Sequence, residues 1–344
     1  MSDWVEIDGS AGEGGGQILR SSLALSLLTG KAFHMFAIRA GRERPGLQPQ
    51  HLMCVRAAAS IGQARVRGAE LGSRELSFSP GKVRGGKYHF AIGTAGATGL
   101  VLHTLYLPLA LATEEASEVV IEGGTHVSAS PCFHFLDSTW RAYLEALGLK
   151  IKLVLRRPGF YPRGGGTIEA RIKPSGRLRG MQLLERQMGD RLSGISAVSG
   201  LPESIAQRQS KRALARLRNS GFRIEIEEQL WQGAPGTMLA LSVETRPAPT
   251  LFFGLGARGK RAERVADEAV DQLMEFVERT PAAVDPYSAD QLVLPLVFAD
   301  GPSTFTVSEV TPHLLTNVEV IRAFVDRPLK VIGDIGEAGR VEIR

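Results

Sequence analysis

One order of strands and helices recurs along this chain, and that recurrence restricts the fold more than any single motif. Trp4–Ile7 reads as a strand, Gln17–Leu28 as a helix ending at Gly30, Phe33–Ile38 as a strand and Gln50–Ile61 as a helix. Ala64–Arg67 and Glu75–Phe78 close the set as two further strands. The order β-α-β-α-β-β then returns as His89–Ile92, Leu100–Ala112, Val119–Glu122, Phe133–Leu147, Lys150–Leu155 and Gly166–Ile172. A shorter version is expected near the C-terminus: helix Ala289–Val297, strand Thr304–Val307, helix Thr316–Phe324, and the closing strands Lys330–Ile332 and Val341–Ile343. Repeated supersecondary units of this kind bury their sheets against one another. The stretch between the second and third copies differs. It has a basic helix, Pro202–Ser220, strands Arg223–Gln229, Thr237–Val243 and Thr250–Gly254, and a long helix, Arg261–Arg279. The expected organisation is an α/β (α+β) core formed by residues 1–184 and 281–344, with 185–280 as an inserted α+β domain.

The bulk properties exclude several classes. With 43% hydrophobic and 22% charged residues, the 344-residue chain is globular rather than disordered. Lys and Arg exceed Asp and Glu by 41 − 36 = 5, which favours polyanionic partners. Cys54 and Cys132, the only cysteines, make neither a disulfide framework nor a metal-site spacing, and suit a reducing compartment. The first residues, Met1 to Asp8, carry acids and no long apolar run, so no signal peptide is expected there. The most apolar stretch, Leu100 to Thr113, is interrupted by His103 and Pro108 and is too short to span a bilayer. No membrane role and a cytoplasmic location are expected.

The first chemically informative segment is Gly9-Ser-Ala-Gly-Glu-Gly-Gly-Gly16, five glycines in eight positions between a strand and a helix. Such a backbone approaches a ligand closely, and free N–H groups at a helix start attract anions. It is not a P-loop, because Gly-Lys-Ser/Thr is missing. Glu13 lies inside it, and a carboxylate beside a phosphate site calls for a divalent cation between them, although a structural turn with a solvated glutamate has the same sequence appearance. Arg20, Arg39, Arg42 and Arg44 follow, and arginine forks match phosphate oxygens, although a scattered set of surface arginines would look similar. Two more basic, glycine-bearing loops are Lys82–Lys87 and Arg156–Gly166, the second containing Gly159-Phe-Tyr-Pro-Arg163-Gly-Gly-Gly166. His34, His89 and His134 have no motif around them and read as structural. His313 stands at a turn before a helix. Neutral imidazole there is a competent nucleophile toward phosphorus, although a hydrogen-bonded turn histidine has the same sequence appearance. The basic helix Pro202–Ser220 could touch RNA or be a charged exposed face.

Several blocks in order carry a family resemblance: Gly12-Glu-Gly-Gly-Gly-Gln-Ile-Leu-Arg20, Ile38-Arg-Ala-Gly-Arg42, Pro45-Gly-Leu47, Gln50-His-Leu52, Val83-Arg-Gly-Gly86, Gly159-Phe-Tyr-Pro162, Gly164-Gly-Gly166, Ala289-Asp-Gln-Leu-Val-Leu-Pro295 and His313-Leu-Leu-Thr-Asn317. Together they resemble the RNA 3′-terminal phosphate cyclases, along nearly the whole chain apart from the inserted stretch. The resemblance implies three βαβαββ units like the C-terminal domain of a translation initiation factor, plus a small inserted domain. It implies an ATP-dependent ligase that activates an RNA 3′-phosphate through a histidine–AMP intermediate and an RNA(3′)pp(5′)A anhydride, giving a 2′,3′-cyclic phosphate, AMP and pyrophosphate. Carried over by position, His313 matches the nucleotidylated histidine and Glu13 a carboxylate that holds a divalent cation, Mg²⁺ or Mn²⁺. Arg20, Arg39, Arg42 and Gln50 match residues near the phosphates or RNA end. Pro131 and Tyr287 match positions that sandwich adenine, and Asp290 and Gln291 match their nucleotide-contacting neighbours. Two departures stand out. His103 replaces a glutamine expected near the metal and triphosphate, and Pro158 replaces the Arg or His usual before the Gly-x-x-Pro loop. Imidazole ligates softer metals better than Mg²⁺. The rival readings are a non-catalytic cyclase-like RNA-binding protein of ribosome assembly, which would lack the histidine, and an enolpyruvyl transferase built from the same unit. Oligomeric state is not readable from these blocks.

Overall fold

The computed structural model describes residues 4–344; the N-terminal reading of Met1 to Asp3 lies outside the described residues. Three four-stranded sheets share one topology. In the first unit, β1 (Val5–Asp8), α1 (Gly16–Thr29), β2 (Phe33–Phe36), α2 (Pro49–Gly62), β3 (Arg65–Arg67) and β4 (Leu76–Ser79) form a sheet in the order β1-β2-β4-β3. β1 and β2 run parallel, with Val5 opposite Phe33, and β4 pairs antiparallel with both β2 and β3. Phe33 and Met35 alternate into the core with Leu76 and Phe78 opposite, which sets the register. β2 stops two residues earlier than the expected Ile38 because Ala37 and Arg39 take positive φ, 51° and 53°, and turn the chain out of the sheet.

The second unit repeats the arrangement: β5 (Lys87–Ala91), α3 (Thr98–Leu111), β6 (Ser117–Gly123), a helix in three segments, then β7 (Lys150–Arg157) and β8 (Gly166–Lys173), in the sheet order β5-β6-β8-β7. The three helical segments are α4 (Phe133–Phe135), a π-helical turn (Leu136–Trp140) and α5 (Arg141–Ala146). Such wide turns re-aim side chains and often sit beside functional sites. Here Trp140 points into the cleft described below.

After β9 (Leu178–Arg179), the strand β10 (Gln182–Leu183) opens the third unit. The chain then leaves for β11 (Gln187–Ser199), α6 (Ser204–Leu217), β12 (Arg223–Trp231), β13 (Gly236–Arg246), β14 (Thr250–Leu255) and α7 (Ala262–Arg279). It returns as α8 (Pro286–Val297), β15 (Ala299–Asp300), β16 (Ser303–Val307), α9 (Pro312–Phe324), β17 (Leu329–Ile332) and β18 (Gly339–Ile343). The sheet order β10-β16-β18-β17, with β10 parallel to β16, matches the other two. The third unit is therefore complete. Its first strand, two residues long and separated from its partner by more than a hundred residues of chain, carries too little periodicity to be seen in sequence. β15 pairs separately with β9.

Strands β11 to β14 form their own sheet, β12-β11-β13-β14, under α6 and α7, with Leu192, Leu217, Leu241, Phe252, Val265, Leu273 and Phe276 as its core. The thirteen-residue β11 was not expected, because Gly189, Ser193, Gly194 and Ser196 interrupt its apolar alternation. The cationic face of α6 is neutralised inside this body. Arg208 pairs with Glu263, Arg212 with Asp267, and Arg216 with Asp267 and Asp271, all on α7.

In the principal body α1 packs against α2, α3 and α9. α3 is buried on nearly all sides, as a helix without a polar face must be. The connections after β1, β2, β5, β6 and β16 each lead directly to a helix N-terminus. They meet at the carboxyl ends of the parallel strand pairs, where open α/β sheets characteristically leave a crevice.

Candidate active site

The loop after β1 lies on the start of α9. Gly12 has φ +53°, and a Cβ there would stand 2.2 Å from Thr316 Oγ1, so no other residue allows this approach. The close seat places Glu13 Oε2 2.9 Å from His313 Nδ1 and 3.8 Å from Arg42 Nη2. His313 itself is held at the second position of α9. Thr311 caps that helix by accepting from Leu314 N at 3.1 Å, and Pro312 fixes the first turn.

A second atom meets the same ring nitrogen: Gln17 Oε1 lies 3.0 Å from His313 Nδ1. Both partners are acceptors, so the ring hydrogen sits on Nδ1 and the lone pair on Nε2. Gln17 is fixed in turn, donating from Nε2 to Asp290 Oδ2 at 2.7 Å. Asn317 Nδ2 donates to the Asp290 carbonyl and Ser21 Oγ to Asn317 Oδ1, each at 2.6 Å. α1, α8 and α9 are thereby stitched together beneath the histidine. Burial holds the His313 pKa below the usual imidazole value; Glu13 opposes this, while Arg20 and Arg42 add to it. The ring is neutral at neutral pH. Burial also pushes the Asp290 carboxyl up to about 7, against the pull of Arg20 and of the Gln17 hydrogen bond.

All eleven residues singled out in sequence line one cleft of about 1140 Å³: Glu13, Arg20, Arg39, Arg42, Gln50, His103, Pro131, Tyr287, Asp290, Gln291 and His313. That volume exceeds a typical small-molecule pocket. Arg20 is half-buried on α1, one turn beyond Gln17. Arg39 braces its own loop, donating from Nη1 to the carbonyls of Arg44 and Gly46, so only part of its fork is free for a ligand. Gln50 Oε1 accepts from Ala97 N at 2.7 Å, joining the first unit to the second. His51 completes the cap of α2, and burial with Arg20 and Arg39 nearby lowers its pKa to about 3.

His103 packs against Trp140 with ring centroids 5.0 Å apart and lies 6.3 Å from Tyr106. Its Nε2 is buried without a protein partner, and burial together with Arg20 lowers its pKa to about 3. It is a neutral imidazole with one unused lone pair or hydrogen. Tyr287 is half exposed and meets Phe252 edge-on at 6.4 Å. Asp285 caps α8 through the Tyr287 and Ser288 N–H groups. Gln291 Nε2 donates to the Tyr287 carbonyl, leaving Gln291 Oε1 buried and unpartnered.

Among the described residues no three His, Cys, Asp or Glu side chains gather into a metal-binding group. A cation at Glu13 would take most of its ligands from phosphate oxygens and water, the way Mg²⁺ is usually held, and the residues fit that mode. Sequence reading gave no role to Gln17, Ser21 or Asn317. The available signal was a Gln and a Ser one helical turn apart on α1, sharing a face with Arg20.

The fold and the cleft define an α+β enzyme whose site gathers helix N-termini, arginines and one pre-oriented imidazole in a single cleft. The family described as RNA 3′-terminal phosphate cyclase matches residues 11–331. Relatives carrying that same name include proteins of Pseudomonas fluorescens, 46% identical over 328 residues (94% of this chain, 93% of the relative), and Ralstonia nicotianae, 44% identical over 322 residues (93% and 91%). A third, from Ectopseudomonas mendocina, is 42% identical over 349 residues (99% and 98%). The chain belongs to the RNA 3′-terminal phosphate cyclase family and is an enzyme of that type. No helix among the described residues is long and apolar enough to cross a membrane.

Proposed function

We propose that this enzyme uses ATP to convert an RNA 3′-terminal phosphate into a 2′,3′-cyclic phosphate, with His313 carrying AMP between the two substrates. The observation that carries the reading is the hydrogen bond from His313 Nδ1 to Gln17, with the Glu13 carboxylate 2.9 Å from the same nitrogen, which leaves Nε2 as the nucleophilic atom in an arginine-lined cleft.

Nε2 attacks the α-phosphorus of ATP, a P–N bond forms, and pyrophosphate leaves. The RNA 3′-phosphate oxygen then displaces the imidazole from AMP, giving an RNA(3′)pp(5′)A anhydride. Finally the adjacent 2′-oxygen attacks the 3′-phosphorus, the anhydride bond breaks, AMP leaves, and the 2′-hydroxyl proton passes to solvent or base. A phosphate monoester has no good leaving group of its own; the attached AMP supplies one, and the 2′-oxygen is already at high effective concentration. Arg20, Arg39 and Arg42 neutralise phosphate charge, with Gln50 beside them. Pro131 and Tyr287 flank the adenine, with Asp290 and Gln291 adjacent. Glu13 would hold a divalent cation, with His103 offering imidazole nearby; Mg²⁺ or Mn²⁺ there would supply screening of the triphosphate charge.

Incubation with ATP labelled at the α-phosphate should yield an acid-labile labelled protein, and His313→Ala should yield none. A labelled band that survives the substitution would move the nucleophile elsewhere. The ribosome-assembly alternative predicts no label on the unaltered protein.

A further inference from the structure

The loop Pro158–Gly166, between β7 and β8, is built as a rigid arm with one aromatic ring left free. Its root is locked to the segment after β6. Thr125 N and His126 N both donate to the Gly159 carbonyl, at 2.9 and 3.0 Å, and Gly159 N donates back to Thr125 Oγ1 at 2.9 Å. Phe160 is buried and stacks on His126 at 5.2 Å. His126 shares a hydrogen with His134 at 3.0 Å, and His134 lies flat on Trp231, 5.4 Å away with 1° between the planes. Gly164 N closes the loop onto the Phe160 carbonyl at 2.7 Å. Gly164, at φ +64°, sits so near Ala95 that a Cβ would lie 2.8 Å from Ala95 Cα.

Against this fixed frame Tyr161, the next residue after the buried Phe160, is 76% exposed, the most exposed of the large hydrophobic residues described. It nonetheless lines the cleft that contains His313. Arg163, two residues on, is also exposed, with no carboxylate partner among the described residues. An exposed aromatic and a guanidinium without a carboxylate partner, two residues apart on one anchored loop, form the pattern by which single-stranded nucleic acid is gripped: a base stacks on the ring and a backbone phosphate meets the cation.

We propose that Tyr161 is the stacking platform for an unpaired base at the RNA 3′ end, with Arg163 on a backbone phosphate, and that this makes the enzyme select single-stranded ends over base-paired ones. The inference rests on the RNA-end reading above and adds the part of the substrate that the arm recognises. It also gives a purpose to the His126–His134–Trp231 stack, which holds the arm at fixed height.

The test uses the full chain and a 3′-phosphorylated single-stranded oligoribonucleotide, with binding followed by fluorescence anisotropy in the absence of ATP. Tyr161→Ala should weaken binding and raise KM for RNA by roughly 5- to 150-fold, the range for loss of one stacked base, with kcat little changed. Tyr161→Trp should restore both. An abasic 3′-terminal nucleotide should weaken binding to the unaltered protein and make little further difference to Tyr161→Ala. His–AMP formation from labelled ATP without RNA should be the same in all these variants. The proposal fails if Tyr161→Ala binds the oligonucleotide as tightly as the unaltered protein, or if it slows His–AMP formation as much as cyclisation, which would put the ring on the nucleotide. If the unaltered protein takes no label from ATP while the Tyr161 variants still lose oligonucleotide binding, the phosphate chemistry is wrong and the platform stands.

Discussion

Replacing Gln17 with methionine keeps the length of the side chain and removes both of its hydrogen bonds. The first, from His313 Nδ1 at 3.0 Å, helps fix the ring; the second, to the buried Asp290 Oδ2 at 2.7 Å, holds the glutamine in place. Glu13 still faces Nδ1 at 2.9 Å, so orientation is weakened rather than abolished. One hydrogen bond of this kind contributes about 0.5–1.5 kcal/mol. If about 1.4 kcal/mol of it is expressed in the attacking geometry, adenylation slows about tenfold. The stranded Asp290 oxygen adds about 1–3 kcal/mol of cost to the folded state. Its carboxyl, already near 7, rises further without the glutamine donor. The assay is single-turnover transfer from α-labelled ATP across the neutral pH range, paired with urea unfolding. Gln17→Glu separates positioning from mere packing. A carboxylate on Nδ1 favours the imidazolium, so the acid limb of the rate should move to higher pH. Gln17→Met labelling as fast as the unaltered protein, together with an unmoved limb in Gln17→Glu, would refute the reasoning.

Other substitutions probe the rest of the site. His103→Gln removes an imidazole that prefers softer metals, so the ratio of Mn²⁺- to Mg²⁺-supported activity should fall; an unchanged ratio would deny His103 any part in metal choice. Gly12→Ala forces a side chain into Thr316 at a positive φ, and should slow adenylation by displacing Glu13 while the rest of the fold survives, as read by labelling and circular dichroism. The buried His51 and His126 have folded pKa values depressed to about 3 and well below 6.5 respectively. Below the ordinary imidazole value the unfolded chain therefore binds protons that the folded one refuses. Each removes up to about 1.4 kcal/mol per pH unit as the solution is acidified, until its folded pKa is reached. Asp290, raised to about 7, works the other way between its ordinary carboxylate value and 7, because the folded state keeps a proton there. His103 and His134, depressed to about 3 and about 4, act in the same direction, and Asp285, also raised, sides with Asp290. The histidines outweigh the carboxyls, so the urea midpoint should drop on mild acidification, and a midpoint that rises would contradict these assignments.

The order of elements was legible because each long helix and strand announces itself locally. The apolar spacing of α1 ends at Gly30, Pro49 and Pro286 open α2 and α8, and Pro312 opens α9. The glycine loop around Glu13 and the turn at His313 were legible as special backbone positions, each with a structural reading beside the chemical one, and the ordered blocks named the family. Local signals failed where an element was too short or too irregular to show a period, as in β10 and β11. They also left a charge pattern with two meanings: the arginines of α6 pair with the acids of α7, about fifty residues on, which only the folded chain brings together. Neither could any local rule show that Gln17 would meet Asp290 and His313, 273 and 296 residues away. A hydrogen bond of that span exists only once α1, α8 and α9 have packed. Composition and periodicity act over a few turns of chain, so they determine which elements form. Which nitrogen of His313 is left free depends on side chains brought together from both ends of the molecule, and that was decided by tertiary packing alone.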